Sequence, residues 1–119
     1  MKTTLRRVAP LALFVAAGWF GIEVLQSFGS ERIGREMAAS AKPGDIMMLA
    51  SDTCIYCKQA RAWFKEHQVA FGECSIERDP ACRAAYDALQ SPGTPMLVVR
   101  GQRQVGFSPE RVVQALRQG

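Results

Sequence analysis

Cys54 and Cys57, separated by Ile55 and Tyr56, are the residues whose types and spacing point most directly to chemistry. Before them, Asp45-Ile46-Met47-Met48-Leu49-Ala50 is a largely apolar run of strand length. After them, Gln59-Ala60-Arg61-Ala62-Trp63-Phe64-Lys65-Glu66-His67 is rich in helix formers and free of Gly and Pro. The pair therefore falls where a strand passes into a helix, with Cys54 at or just before the first turn. Unpaired N–H groups and the positive end of the helix dipole favour a thiolate there, which makes Cys54 the expected nucleophile near neutral pH. Cys57 lies one turn deeper on the same face, within reach to resolve a mixed disulfide. Lys58 adds positive charge beside the thiols; it either lowers a thiol pKa or is an ordinary solvated lysine. The same spacing also occurs in half a zinc site and in structural disulfides, and the strand-then-helix context favours the redox reading over both.

A second signal lies far along the chain. Gly93-Thr94-Pro95-Met96-Leu97-Val98-Val99 is a Thr-Pro step opening an apolar strand, and Gly106-Phe107-Ser108-Pro109-Glu110 precedes a last helix. With these landmarks in order behind the C-x-x-C, the segment from Lys42 to Gly119 resembles the glutaredoxin/thioredoxin superfamily, most closely glutaredoxin-like redoxins. The resemblance implies an α/β fold of the thioredoxin-like (glutaredoxin) type: a four-stranded mixed sheet flanked by three helices. It also implies a thiol–disulfide oxidoreductase acting on protein or small-thiol disulfides and recharged by a reductase that the residues do not identify. In such proteins the Thr-Pro step carries a cis proline facing the C-x-x-C. That makes Thr94 and Pro95, with Tyr56 and Lys58, the expected substrate-facing residues, Thr94 offering its backbone to an extended peptide or to glutathione. Tyr56 matches a tyrosine common in glutaredoxins, whereas Ile55 stands where many of them have proline. Glutathione-using members usually carry Gly-Gly-x-Asp before the last helix. This chain has Val105-Gly106-Phe107-Ser108-Pro109-Glu110 instead, which resembles redoxins served by a protein reductase. Glutathione is therefore not the favoured ligand, although free N–H groups at Ser108 to Glu110 can receive a carboxylate. No bound cofactor and no metal are expected. The rival reading is a non-enzymatic adaptor or metal-handling module on the same fold.

Cys74 and Cys82 complete the set of four cysteines. One ends a strand and the other sits in the first turn of the next helix. Three outcomes stay open: a structural disulfide, which an oxidising compartment permits, two buried free thiols, or a second redox pair. A zinc site using all four is disfavoured, because the second pair has seven intervening residues, the wrong knuckle for a ribbon.

A chain of 119 residues allows one small domain plus accessories. Lys and Arg total 15 against 11 Asp and Glu, a formal +4, but the basic residues are scattered. Dispersed charge of this kind is a solvated surface, and no nucleic-acid partner is expected.

The N-terminus has its own character. Lys2, Arg6 and Arg7 precede a segment, Val8 to Phe28, that is apolar or small apart from Pro10, Glu23, Gln26 and Ser27. These 21 residues match the length of about 20 that crosses a bilayer as a helix. The expected organisation is a basic start and single-pass signal anchor over residues 1–28, a polar linker over 29–42 and the redox domain over 43–119. The alternative is a cleaved signal peptide and a soluble periplasmic product. Lys/Arg tallies on the two sides of the span are level, so orientation rests on the density of charge in the first seven residues. On that basis the redox domain is expected outside the cytoplasmic membrane, in a periplasm-like space.

Within the domain, Val69 to Ile76 reads as the second strand. Asp79-Pro80 reads as a cap followed by proline at the first helical position, opening a helix to about Leu89. Met96 to Arg100 and Gln104 to Phe107 form a hairpin about Gly101-Gln102. Ser108-Pro109 repeats the cap-then-proline device before a helix with Val112, Val113 and Leu116 on its apolar face. Ser30 is a candidate cap for a short linker helix, and His67 reads as a solvated cation at a helix end.

Overall fold

The computed structural model describes residues 2–119. The side chains of residues 1–9, among them the basic Lys2, Arg6 and Arg7, lie outside the described residues. The chain divides into two compact units, residues 1–32 and 33–119. Helix α1 is Lys2–Ser40, followed by β1 Ile46–Ala50, α2 Ile55–Glu66, β2 Gly72–Ser75, α3 Pro80–Ala88, β3 Met96–Val99, β4 Gln102–Val105 and α4 Pro109–Gln118.

In the first unit the described side chains are exposed throughout, including Phe14, Trp19, Phe20, Leu25 and Phe28. A long helix with large apolar side chains on all faces has no stable place in water. It is long and apolar enough to be a membrane span or a signal sequence.

In the second unit the sheet runs β2-β1-β3-β4. Strand β1 pairs parallel with β2 and antiparallel with β3, which pairs antiparallel with β4, so the sheet is mixed. The parallel step is the β1–α2–β2 crossover, which places the head of α2 at the carboxyl end of β1. The caps form from the residues that predict them. Asp79 Oδ1 accepts from the N–H groups of Ala81 and Cys82 at 2.9 and 3.3 Å, and Ser108 Oγ accepts from Arg111 N–H at 3.5 Å. The main core joins Ile46, Leu97 and Val99 of the sheet to Phe64, Val112, Val113 and Leu116 of the helices.

Three features differ from the sequence reading. Of the stretch 29–42 expected as a linker, residues 33–41 belong to the second unit. The helix runs on through Ser40, Met37 is fully buried, and Ile33, Ala38 and Ala41 pack on the same core. Ile33, Met37 and Ala41 recur every four residues and so form one apolar stripe, which the charged residues between them mask in composition. Ser30 accordingly lies inside α1 and starts no helix. The second strand begins at Gly72 rather than Val69; Val69 is buried but unpaired in the sheet. The hairpin turn is Arg100-Gly101, because Val99 pairs with Gln102. Both turn residues are left-handed, Arg100 at φ +47° and Gly101 at φ +82°, as a two-residue hairpin loop requires. A non-glycine residue is held there by its side chain. Arg100 donates to the carbonyls of Leu116 and Ser40 at 2.6 and 3.3 Å and to Asp45 Oδ2 at 3.1 Å.

Candidate functional site

Cys54 is the N-cap of α2, with extended backbone at φ −86° and ψ 112°. Its Sγ accepts from the N–H of Cys57 at 3.1 Å, one of the helix-end donors left without an internal partner. The two cysteines are joined as a disulfide with their Cα atoms 5.3 Å apart. They are unequal in access: Cys54 is half-buried, while Cys57 has no exposed surface and packs against Met48, Ala50 and Ala60. Ile55 and Tyr56 between them stand out into solvent, 59% and 66% exposed.

Thr94-Pro95 is a cis peptide bond, with Thr94 half-buried and Pro95 buried. Tyr56, Thr94 and Pro95 line one cleft of about 190 Å³ together with Gln59, Gly106 and Phe107. The chain reaches this cleft from α2, from the start of β3 and from the segment after β4. At Gly106 the backbone is left-handed, φ +76°, which turns the chain from β4 toward α4. Phe107 stands on an aromatic stack, 4.9 Å from the Phe64 ring and 5.5 Å from Trp63, so one wall of the cleft is anchored in the core.

Lys58 is not part of that cleft. It lines a separate depression with Ser51, Asp52, Thr53, Cys54, Ile55 and Arg61. Arg61 is engaged there by Glu73 of β2, whose carboxylate raises the guanidinium pKa further. Cys74 and Cys82 are joined to each other, their Cα atoms 5.9 Å apart, with Cys82 packed against Leu49 and Met96. Gln59 and Phe107 line the cleft beyond the residues that the sequence predicts for it. The signal for Gln59 was its place one helical turn after Tyr56, and for Phe107 its place beside the closing glycine. His67 is half-buried rather than fully solvated: its ring lies 4.2 Å from Trp63 and meets Gly34, where an added Cβ would come within 2.3 Å of Nδ1.

The start of α4 carries its own anion. Ser108 Oγ accepts from the Arg111 N–H and donates to Glu110 Oε2 at 3.1 Å. A carboxylate ligand at this helix end would meet a helix start already capped, with a negative side chain beside it.

Comparison with known proteins agrees with this geometry. The model of the family described as Glutaredoxin matches residues 46–104. Glutaredoxin-1 of Rhizophagus irregularis is 34% identical over a 65-residue alignment that covers 51% of this chain and 64% of that relative. The match thus spans a little under two thirds of the relative's length. Among solved structures, a thioredoxin-like protein is 27% identical with a TM-score of 0.52, covering 59% of this chain and 97% of the other. The glutaredoxin from Methanosarcina mazei Go1 superposes with a TM-score of 0.52 at 19% identity, covering 61% of this chain and 78% of that one, a likeness of fold. A mixed four-stranded sheet, a cysteine capping the helix after its first strand and a segment similar to glutaredoxins over residues 46–104 together give this chain a thioredoxin-like fold with a glutaredoxin-like sequence.

Proposed function

We propose that this protein is a thiol–disulfide oxidoreductase in which Cys54 attacks and Cys57 resolves. The observation that carries the reading is the inequality of the two sulfurs: a half-buried Cys54 at the head of α2 and a fully buried Cys57 one turn below it. In the reduced protein the Cys54 thiolate attacks one sulfur of a substrate disulfide. That bond breaks, one substrate half leaves as a thiolate that takes up a proton, and Cys54 is left in a mixed disulfide. Cys57 loses its proton and attacks Cys54 Sγ, the second half leaves as a thiol, and the Cys54–Cys57 bridge remains. The substrate gains two electrons and two protons, and an external dithiol restores the pair. Run backwards, the same steps oxidise a substrate dithiol.

The cleft of Tyr56, Thr94, Pro95, Gly106 and Phe107 is where an extended peptide or a small thiol lies during attack, its backbone against Thr94. Lys58, in the neighbouring depression, adds positive potential to the thiolate. The capped α4 start and Glu110 argue for a protein reductase over glutathione as electron donor. The apolar segment 8–28 anchors the protein in the cytoplasmic membrane with the redox domain on its periplasm-like side; cleavage to a soluble periplasmic protein is the alternative.

The test is a reductase assay on a disulfide substrate. Cys54→Ser should abolish turnover and Cys57→Ser should accumulate the mixed disulfide. Turnover unchanged in Cys54→Ser rejects the assignment, and client binding that survives loss of Cys57 without any redox cycling favours an adaptor. Thiol labelling of intact against broken cells tests the membrane side.

A further inference from the structure

The turn that carries the attacking cysteine is held from outside by the end of β2 and the connection that follows it, and Glu77 there takes two of its donors. Residues 51–54 close on themselves through the Cys54 N–H, which donates to the Ser51 carbonyl at 3.2 Å. Glu77, on the connection between β2 and α3, accepts from the Ser51 hydroxyl and, at 3.1 Å, from the Asp52 N–H. The Ser75 hydroxyl lies 3.0 Å from Asp52 Oδ1 and 3.1 Å from Glu77 Oε2, and Arg78 Nε donates to Asp52 Oδ1 at 3.1 Å. The connection is short and fastened at its base. Cys74 of β2 is bonded to Cys82 of α3, and Cys82 is 4% exposed against Leu49 and Met96.

We propose that Glu77, fastened by the Cys74–Cys82 bridge, is a positioning residue for Cys54, holding the 51–54 turn so that Sγ stays over the head of α2. The assignment rests on Cys54 being the attacking thiol. A thiol gains acidity from a helix start only while it stays within the first turn. A turn free to rock loses that gain on average. The charges around this site are Asp52 on the turn, Lys58 and Arg61 on α2, Glu73 on β2, and Glu77 and Arg78 on the connection. Glu77 is exposed, so its own charge acts on Cys54 through screened solvent.

That charge and the bracing effect have opposite signs. Removing a negative charge alone lowers the pKa of a nearby thiol, whereas releasing the turn raises it. The experiment uses the full chain carrying Cys57→Ser, in which Cys54 is free while Cys74 and Cys82 remain bridged. Alkylation by iodoacetamide across a pH series gives the Cys54 pKa. Glu77→Ala should raise that pKa by about half to one unit, slowing alkylation about three- to tenfold at pH values below it. Glu77→Gln keeps an acceptor and should stay near the parent. Joint replacement Cys74→Ser and Cys82→Ala should slow alkylation like Glu77→Ala, and all three changes together no further, since one brace is lost either way. Faster or unchanged alkylation in Glu77→Ala overturns the proposal, as do additive effects of Glu77→Ala and bridge removal. If bridge removal prevents folding, the two Glu77 variants, both surface changes, decide alone. Alkylation needs no disulfide turnover. A protein inert toward substrates but showing these shifts sinks the oxidoreductase reading and leaves the brace standing; the reverse pattern removes the brace only.

Discussion

Shortening Met37 to alanine should unfold the domain at a distinctly lower temperature, although the residue sits in a stretch whose composition reads as a spacer. Met37 has no exposed surface and packs in one cluster with Ile46, Phe64, Leu97, Val99 and Val112. Truncating a methionine at such a site costs about 2–5 kcal/mol, through lost transfer energy and the cavity left behind. For a unit of this size each kcal/mol moves the midpoint by about 4–8 °C, so the loss should be about 8 °C or more. The control is Glu36→Ala, one position earlier on the same helix. Its ion pair with Arg117 joins side chains 32% and 65% exposed, and exposed pairs contribute about 1 kcal/mol or less. Thermal melts of the full chain in detergent, followed by circular dichroism, compare the two. Equal melting temperatures for Met37→Ala and Glu36→Ala would refute the claim that residues 33–41 belong to the core.

Gly34→Val should destabilise the domain comparably, because any Cβ at that position runs into the His67 ring, and a melt alongside Met37→Ala checks it. Tyr56→Ala should raise KM while leaving the melting temperature within about 1 °C, since the ring lines the cleft but is 66% exposed and supports no core. Acid should weaken the fold in a defined window. Asp45 is held below its ordinary value of 3.8 by the Lys42 N–H and by Arg100, and Glu77 below 4.5 by the Ser51 hydroxyl and the Asp52 N–H. Folded pKa values below the unfolded ones give stability that is complete above the ordinary values and drains as pH falls through the lower folded ones. The unfolding midpoint should therefore hold from neutrality to about pH 5 and then drop, and Asp45→Asn should flatten that drop.

The place of Cys54 at the head of a helix was legible because local chemistry determines it: an apolar strand, a cysteine able to cap, then a run of helix formers. The Asp79-Pro80 and Ser108-Pro109 starts were legible for the same reason, each being a side chain meeting N–H groups two or three residues on. What escaped depends on pairs distant in sequence. Ile33, Met37 and Ala41, with Gly34 and Ala38 beside them, form a narrow face bracketed by Glu31, Arg32, Arg35 and Glu36, so the stretch reads as a polar connector until a core is there to receive it. The Arg100-Gly101 turn was displaced by one residue because arginine seldom adopts a left-handed backbone unaided; Asp45 and the carbonyls of Ser40 and Leu116 hold it there. Glu77 gives no local sign of its partners at 51 and 52, which lie 26 and 25 residues earlier.

That arginine also has a bearing on how the domain comes apart. One guanidinium satisfies carbonyls at the trailing ends of two helices and a carboxylate just ahead of the first strand, where each would otherwise need water. Displacing the guanidinium takes the donors from all three sites at once, Nη1 from Leu116 and Nη2 from Ser40 and Asp45. The ends of α1 and α4 should then exchange their amide protons as one cooperative group, opening together, and Arg100→Leu should split that group into separately fraying pieces.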